Sequence, residues 1–551
     1  MYGKFPIKHI VRLPVSAPKN PRICSWCSDC LNNSHTHLVV WLLARILRGI
    51  VFFTDSAARE EVTVFDTTLR DGEQTPGIAF TFEQKIEIAR QLSAIGVHAI
   101  EAGFPASSKA EKETVTAIKK LGLESKICGL ARSVKADVDT CLDCNVDMVH
   151  VFIPTSDIQR ENTINKSRKE VLEITADIIG YIRKRSDLCM FSAMDATRTD
   201  WDYLIEVFRT AADAGATIIN VPDTVGVISP SAMKTLITRI NRDVRCPIDV
   251  HCHNDFGLAV ANTIAAVEAG ASQVQVTVNG LGERAGNADL AQTVMIMESM
   301  YRIKTGIAKA RLVETSRLVS RFSGIGIPPT QPVVGENVFS HESGIHSHGV
   351  IQNSATFEPG IMTPEMVGHR RRLTLGKHVG RHAVQQMLRD VRIEPDGTQL
   401  DAIVEKVKAV ANKGKRVTDA DLYEIAESIM GIELNHKTLE LHDIAIMTGN
   451  HVIPTASVKA MVNGKEHVFS SVGNGPVDAA LNAILGITPS KLQLKEFNIE
   501  AISGGSDAMC HVTIAVEDEH GKIFDASGSG DDIVLSSVEA LVNAINLINR
   551  A

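Results

Sequence analysis

The chain has 551 residues, too many for a single hydrophobic core, so two or three domains are expected. Acidic side chains outnumber basic ones 65 to 57, giving a net charge of −8 without a basic stripe, which argues against nucleic-acid and anionic-membrane partners. The ten cysteines are scattered, several of them in or beside predicted strands, and are expected to be reduced thiols of a cytoplasmic α/β enzyme.

The first sixty residues differ from the rest of the chain. Three cysteines at metal-ligand spacing precede two histidines: Cys24, Cys27, Cys30, His35 and His37. No second C-x-x-C follows at a zinc-finger distance, and the apolar stretch 38–53 is shorter than the roughly 20 residues that span a bilayer. We interpret residues 1–60 as an extension without a role in the enzyme, with metal binding as the alternative.

From Val62 onward, short β-branched runs alternate with amphipathic stretches at intervals of roughly 25 to 35 residues, which predicts a (β/α)8 barrel. Thr81 and Gln84 form a capping box at the start of the first helix, whose buried stripe is expected to include Ile86 and Ala89. The barrel is expected to span 61–302. Its strands are predicted near 62–67, 98–103, 127–131, 148–153, 188–193, 217–221, 247–252 and 273–278.

Two strand ends carry groups that bind metals. The run F-D-T-T-L-R-D-G-E-Q delivers Arg70 and Asp71 to the carboxyl end of the first strand. In H-C-H-N-D, His251 and His253 point the same way, because side chains alternate across a strand. One carboxylate and two imidazoles are therefore expected to converge on a divalent cation, with the guanidinium of Arg70 beside it, where an oxyanion would form.

A third motif, G-L-G-E-R-A-G-N-A at 280–288, ends the eighth strand. Together the three motifs resemble the pyruvate carboxyltransferase-like metallolyases and, within them, the 2-isopropylmalate synthases of the isopropylmalate/homocitrate synthase family. The resemblance extends from about residue 61 to the C-terminus. It implies a TIM barrel, helical linker subdomains at 303–433 and a C-terminal α+β regulatory domain at 434–551.

The C-terminal region contains an internal repeat. Val468-Phe469 leads to G-N-G-P-V-D-A-A, and Ile523-Phe524 leads to G-S-G-D-D-I-V, each followed by an apolar helix. Two copies of one strand–turn–helix unit predict a pseudo-symmetric domain, which resembles the leucine-binding domain of the family. The glycine turns and the loop S-G-G-S-D-A are expected to expose backbone groups to the effector: Gly473, Gly475, Gly528, Gly530, Ser506, Asp507 and Ala508.

The resemblance also implies roles at the barrel mouth. Asp71, His251 and His253 would be direct ligands of a divalent metal, with Mn²⁺ favoured over Mg²⁺, Zn²⁺ or Co²⁺, and Asn287 would complete the shell directly or through water. Thr224 would hold the carboxylate of a 2-oxo acid. The remaining substrate-binding residues would be Phe104, His150, Ser156 and Glu283, although Glu283 and Arg284 equally fit a structural ion pair.

The identity of the base that deprotonates acetyl-CoA stays open. His346 resembles a linker histidine that relatives insert into the neighbouring subunit's active site, which implies a homodimer. Asp195 is the second candidate, but Met194 precedes it where relatives carry glutamate, and Phe357 stands where relatives often have tyrosine.

The leading function is condensation of acetyl-CoA with 3-methyl-2-oxobutanoate in leucine biosynthesis, with leucine as effector. Citramalate synthesis from pyruvate is the alternative, and a homocitrate-type reaction fits less well because it needs a cation for a distal carboxylate. A lyase or biotin-dependent carboxyltransferase would need a cleavage cysteine loop or a metal-site lysine, and neither motif is found. A non-catalytic amino-acid sensor would not need Arg70, Asp71, His251 and His253 together.

Overall fold

A computed structural model describes residues 59–343, 360–391, 393–412, 417–431, 438–488, 491–501 and 510–548, and singly 349, 353 and 356. All belong to one compact unit, Ala58–Ala551. Among these residues, no helix is both long enough and apolar enough to cross a membrane. The predicted extension lies outside the described residues, except for its last two positions.

Eight parallel strands close into a barrel in chain order, because the first strand pairs with both the second and the eighth. Phe65 lies opposite Ala99 on one side and Gln275 on the other. The predicted barrel is therefore confirmed. The strands are β1 Thr63–Asp66, β2 Ala99–Glu101, β3 Lys126–Arg132, β4 Met148–Pro154, β5 Leu188–Met194, β6 Ile218–Asp223, β7 Ile248–Cys252 and β8 Gln273–Val276.

A helix follows each barrel strand. The first begins with the predicted capping box between Thr81 and Gln84, but it buries Lys85 and Ile88, whereas Ile86 is only half-buried. Lys85 is tolerated there because its ammonium group contacts two carboxylates, those of Glu73 and Glu111. The helices are α1 Phe82–Ala94, α2 Lys109–Lys120, α3 Lys135–Asp143, α4 Arg168–Arg183, α5 Trp201–Asp213, α6 Pro230–Asp243, α7 Ala259–Glu268 and α8 Leu290–Met295.

The region after the barrel is mainly helical, as predicted. Its elements are α9 Leu312–Ser323, β9 Ser340–His341, α10 Pro364–Val367, β10 Arg372–Leu373, α11 Arg381–Asp390, α12 Gly397–Ala411 and α13 Asp419–Met430. The two short strands pair in parallel and carry no clear sequence signal. Helices α11 to α13 enclose a core that also includes Phe524 and Leu547 from the C-terminal domain.

The C-terminal domain repeats one unit twice, but that unit is larger than predicted. Each copy has a three-stranded antiparallel sheet before its helix, where the sequence indicated only the last strand, the turn and the helix. The copies share one apolar core. They consist of β11 Leu439–Met447, β12 Thr455–Val462, β13 Lys465–Val472 and α14 Pro476–Ile487, then β14 Gln493–Ala501, β15 Cys510–Glu517, β16 Ile523–Gly530 and α15 Ile533–Ile548.

Candidate active site

The turn after β1 presents Arg70 and Asp71 at the barrel mouth. The backbone N–H of Asp71 donates to the Thr67 carbonyl over 2.9 Å, which holds the turn. Arg70 then reaches two carboxylates: its Nη1 lies 2.7 Å from Oδ1 of Asp71, and its Nε lies 2.6 Å from Oε2 of Glu101. The guanidinium plane is thus fixed beside the Asp71 carboxylate.

The histidines at the end of β7 face the same carboxylate. Their Nε2 atoms are 3.1 Å apart and lie 3.6 Å (His251) and 3.9 Å (His253) from Oδ2 of Asp71. All three side chains are buried. Among the residues that the structure describes, this is the cluster with the spacing of a metal site.

The donor set fits a divalent cation. Burial, with help from the neighbouring His253, lowers the pKa of His251 to about 3, so its imidazole is neutral as a metal ligand must be. Burial alone would raise the pKa of Asp71, but Arg70 and the two histidines together bring it below its ordinary value. The buried Oδ1 of Asn287 has no hydrogen-bond partner among the described residues, so a cation or water has an unsatisfied oxygen to bind.

The segment 280–287, here called the metal loop, brings Asn287 to the site. The Nδ2 of Asn287 donates to Oδ2 of Asp71 over 2.5 Å and to the Leu281 carbonyl over 3.0 Å. Gly282 and Gly286 have positive φ angles of 156° and 86°, and a Cβ on them would lie 2.2 Å from Nδ2 of Asn287 and 1.9 Å from the Gly280 oxygen. Glycine is therefore required by the close approach of the backbone to this cluster.

A cavity of about 290 Å³ opens beside these groups. Arg70, Glu283 and the cluster itself line it, and Leu130, Phe152, Met194 and Pro222 give it apolar surface. The other lining residues are polar: Gln74, His150, Ser192, Asn220, Thr224, Gln275 and Arg284. Thr224, His150 and Met194 thus all line the cavity beside the cluster.

Glu101 is a buried residue that the sequence analysis missed. Besides contacting Arg70, it accepts a hydrogen bond from the Thr67 hydroxyl and lies 2.6 Å from Nδ1 of His150, whose Nε2 is 2.6 Å from the Ser192 hydroxyl. Although burial opposes ionisation, Arg70 and His150 hold the pKa of Glu101 well below its ordinary value. A glutamate ending an apolar strand, E-A-G-F-P, was the available signal.

Phe104, Ser156 and Asp195, which were predicted at the site, do not line this cavity. The Phe104 ring lies under the guanidinium of Arg132, 5.8 Å from it. Ser156 caps the turn after β4 and donates to Asp195, whose carboxylate also accepts from Arg198 over 2.8 Å. Asp195 is fully buried at a φ of 64°, and its backbone N–H donates to the Thr224 hydroxyl.

Arg284 forms an ion pair with Asp255, whereas the sequence suggested Glu283 as its partner. Arg284 contacts Asp255, with 2.7 Å between Nε and Oδ1, and it also donates to the Thr224 carbonyl. Glu283 lines the cavity.

Three family models match consecutive parts of the chain: HMGL-like at 61–319, homocitrate synthase post-HMGL domain-like at 333–415, and LeuA allosteric (dimerisation) domain at 416–549. A Methanosarcina acetivorans protein named "Probable 2-isopropylmalate synthase" is 56% identical over 505 residues, which cover 91% of this chain and 98% of that protein. The 2-isopropylmalate synthase of Methanocaldococcus jannaschii is 50% identical over 494 residues, or 89% of this chain and 95% of that protein. A Methanopyrus kandleri protein provisionally named (R)-citramalate synthase is 44% identical over 500 residues, or 89% and 97%.

This chain belongs to the 2-isopropylmalate synthase family. The resemblance seen in the sequence motifs is thereby confirmed, and the matched C-terminal model agrees with the repeated domain.

Several predicted functional residues lie outside the described residues: His346, Phe357, Ser506, Asp507 and Ala508. Of the glycines assigned to the effector site, Gly473 and Gly475 lie between β13 and α14, as expected for a turn. Gly528 does not lie in a turn. It is buried within β16, opposite Val512, at a point where β16 and α15 pack closely together.

Proposed function

We propose that this chain condenses acetyl-CoA with 3-methyl-2-oxobutanoate to form 2-isopropylmalate and CoA, the reaction that commits carbon to leucine biosynthesis. Relatives that carry this activity in their names include proteins 56% and 50% identical to this chain, and relatives named for citramalate synthesis include proteins 44% and 43% identical to it. The observation that carries the proposal is the convergence of Asp71, His251 and His253 beside Arg70 on a cavity whose lining includes apolar side chains.

Asp71, His251 and His253 would hold the divalent cation, with Asn287 beside them. Bound there, Mn²⁺ or a similar ion supplies Lewis acidity toward the keto oxygen of a 2-oxo acid. Arg70 is positioned to donate to the oxyanion that develops on that oxygen. The Thr224 hydroxyl accepts from the Asp195 N–H, so its own proton is directed to another acceptor, for which the substrate carboxylate is suited.

The apolar part of the cavity lining suits a substrate with a branched alkyl substituent. Leu130, Phe152 and Pro222 contribute apolar surface. The two arginines of the cavity are already paired, Arg70 with Glu101 and Asp71, and Arg284 with Asp255. A distal carboxylate such as that of 2-oxoglutarate would therefore have to compete with protein carboxylates for either arginine, which disfavours the homocitrate-type reaction.

Release of CoA thiol, measured with a panel of 2-oxo acids, tests the substrate. We expect 3-methyl-2-oxobutanoate to give the highest kcat/KM, because its isopropyl group can bury more apolar surface against the apolar lining residues than the methyl group of pyruvate can. A higher kcat/KM with pyruvate would transfer the assignment to citramalate synthesis. In parallel, His253→Ala should lose Mn²⁺ affinity in calorimetry while keeping the wild-type circular dichroism spectrum.

We further propose a homodimer in which His346 of one subunit serves the active site of the other, with leucine as effector. Co-expression of two inactive variants, His346→Ala and Arg70→Lys, tests the shared site. A mixed dimer would contain one site with both native residues, so activity should return in the purified heterodimer. Two variants that remain inactive when mixed would place His346 in its own subunit's site or outside the chemistry.

A further inference from the structure

Asn279, the residue before the metal loop, connects that loop to helix α9. Its φ is 59°, a left-handed conformation that asparagine tolerates better than most residues. Its Nδ2 donates to the Ser316 carbonyl over 2.9 Å, and its Oδ1 accepts from the Ser316 hydroxyl. Both polar atoms of one side chain are thus committed to one residue of α9, which determines the direction in which the metal loop starts.

The loop passes this constraint to the metal cluster within a few residues. The carbonyl of Gly280 accepts from the backbone N–H of Asn287, and the carbonyl of Leu281 accepts from its side-chain Nδ2. That Nδ2 also contacts Asp71. A rotation at Asn279 would therefore displace two acceptors that orient Asn287 and, through it, the Asp71 carboxylate.

The next residue of α9 contacts the C-terminal domain. Nη2 of Arg317 lies 2.9 Å from Oε1 of Glu496. Oε1 of Glu496 also lies 3.8 Å from Nη2 of Arg370, which in turn contacts Asp525. Glu496 follows a register shift in β14, and such irregularities redirect side chains. The first repeat has a shift at the same place, but Asp443, which follows it, is exposed.

We propose that Asn279 is a positioning residue for the metal loop, and that the Arg317–Glu496 pair connects the same turn of α9 to the C-terminal domain. Metal affinity would then depend on how that domain is placed. The proposal rests on the proposed function only for the effector, leucine, whose binding would act through this connection.

Mn²⁺ affinity of the full-length protein, measured by calorimetry, tests positioning without relying on turnover. Asn279→Gly keeps the left-handed backbone accessible but removes both side-chain bonds, so we expect Mn²⁺ binding about 10-fold weaker, as for other residues that orient metal ligands. Ser316→Ala removes one of the two bonds and should have a smaller effect in the same direction. Unchanged Mn²⁺ affinity in both variants would overturn the positioning role. If Asn279→Gly fails to fold, Ser316→Ala decides.

The connection to the C-terminal domain is tested with Arg317→Gln and Glu496→Gln. Each should change Mn²⁺ affinity about two- to five-fold, the range expected for a partly exposed ion pair. In double variants that combine either substitution with Ser316→Ala, the change in the free energy of Mn²⁺ binding should be smaller than the sum of the two single changes. Arg321→Gln, an exposed arginine one turn further along α9, is the matched control and should behave as wild type.

Additive effects, or variants indistinguishable from the control, would overturn the connection. Leucine titration gives a second reading: the half-inhibitory concentration should rise two- to five-fold in Glu496→Gln without a change in kcat. A wild-type enzyme that ignores leucine would refute the proposed effector, while the Mn²⁺ measurements would still decide this inference.

Discussion

Arg70 is the residue whose environment is most demanding. Its Nε contacts the carboxylate of Glu101 and its Nη1 contacts that of Asp71, so two carboxylates fix the plane of the guanidinium group. A lysine would keep the charge but offer a single ammonium that cannot meet both carboxylates and an oxyanion in that geometry.

We therefore expect Arg70→Lys to lose kcat by a factor on the order of 100 or more, because electrostatic stabilisation of the transition state is lost. Steady-state kinetics of metal-saturated enzyme provides the measurement. Unchanged kcat with a higher KM would instead assign Arg70 to substrate binding.

Asp66 allows a pH prediction. It is fully buried, and this burial raises its pKa to about 7, although hydrogen bonds from the N–H and hydroxyl of Thr68 oppose the shift. A carboxyl whose pKa is raised in the folded state binds its proton more tightly there than in the unfolded chain. Its contribution to stability is therefore full below about pH 4 and is lost as the pH rises through 7.

Asp66→Asn mimics the protonated carboxyl at every pH. Between pH 5 and 7 the wild type should lose about 2 kcal/mol of unfolding free energy that the variant retains, by the linkage relation. Urea unfolding of both proteins at pH 5, 6 and 7 measures the difference. Parallel profiles would show that Asp66 is ionised throughout in the native protein.

At the scale of single residues, the sequence predicted that the three candidate metal ligands converge, because strand alternation and the position of strand ends determine where they lie. Asp71, His251 and His253 follow from these two rules. Glu101 could not be assigned in the same way, since its role on β2 depends on Arg70 after β1 and His150 on β4 approaching it across the barrel. Asp195 shows the opposite case: it follows β5, but its left-handed backbone and Arg198 turn the carboxylate away from the cavity lining.

At the scale of elements, the barrel strands were predictable because each is a short apolar run between turn signals. The C-terminal sheets were recognised only in part. The sequence indicated the last strand of each copy, β13 and β16, but not the two strands that precede it, although β12 alternates half-buried and buried residues. The glycines that follow β13 and end β16 were interpreted as ligand contacts, whereas the structure offers a packing reason for two of them.

Gly473, after β13, and Gly528, within β16, both lie where the backbone of the following helix comes close. A Cβ on Gly473 would lie 2.3 Å from the Ala479 nitrogen, and one on Gly528 would lie 2.2 Å from the Ser536 oxygen. Both obstacles are backbone, so Gly→Ala at either position should cost about 1–3 kcal/mol and lower Tm. Gly475→Ala is the control, because its Cβ would meet nothing within 4 Å. A variant at Gly528 that keeps Tm but loses leucine binding would restore the ligand role.

At the scale of the whole molecule, the candidate metal site belongs to the barrel, whereas the repeated domain has an apolar core of its own. The barrel encloses its own interior, whereas Phe524 and Leu547 of the C-terminal domain complete the core of α11 to α13. The sequence could predict that these modules exist but not which of them pack together, because such contacts join residues more than 100 positions apart.

Truncation after residue 434 should abolish leucine inhibition while leaving some activity. The barrel, with Asp71, His251 and His253, is intact in the shortened chain, so Mn²⁺ binding should persist within the few-fold change expected from losing Glu496. The helical region should be less stable, because removal of Phe524 and Leu547 exposes its core. Calorimetric Mn²⁺ binding, thermal unfolding and leucine titration of turnover separate these three expectations. A shortened enzyme that leucine still inhibits would move the effector site out of the repeated domain, and a full-length enzyme inhibited by isoleucine instead of leucine would favour citramalate synthesis.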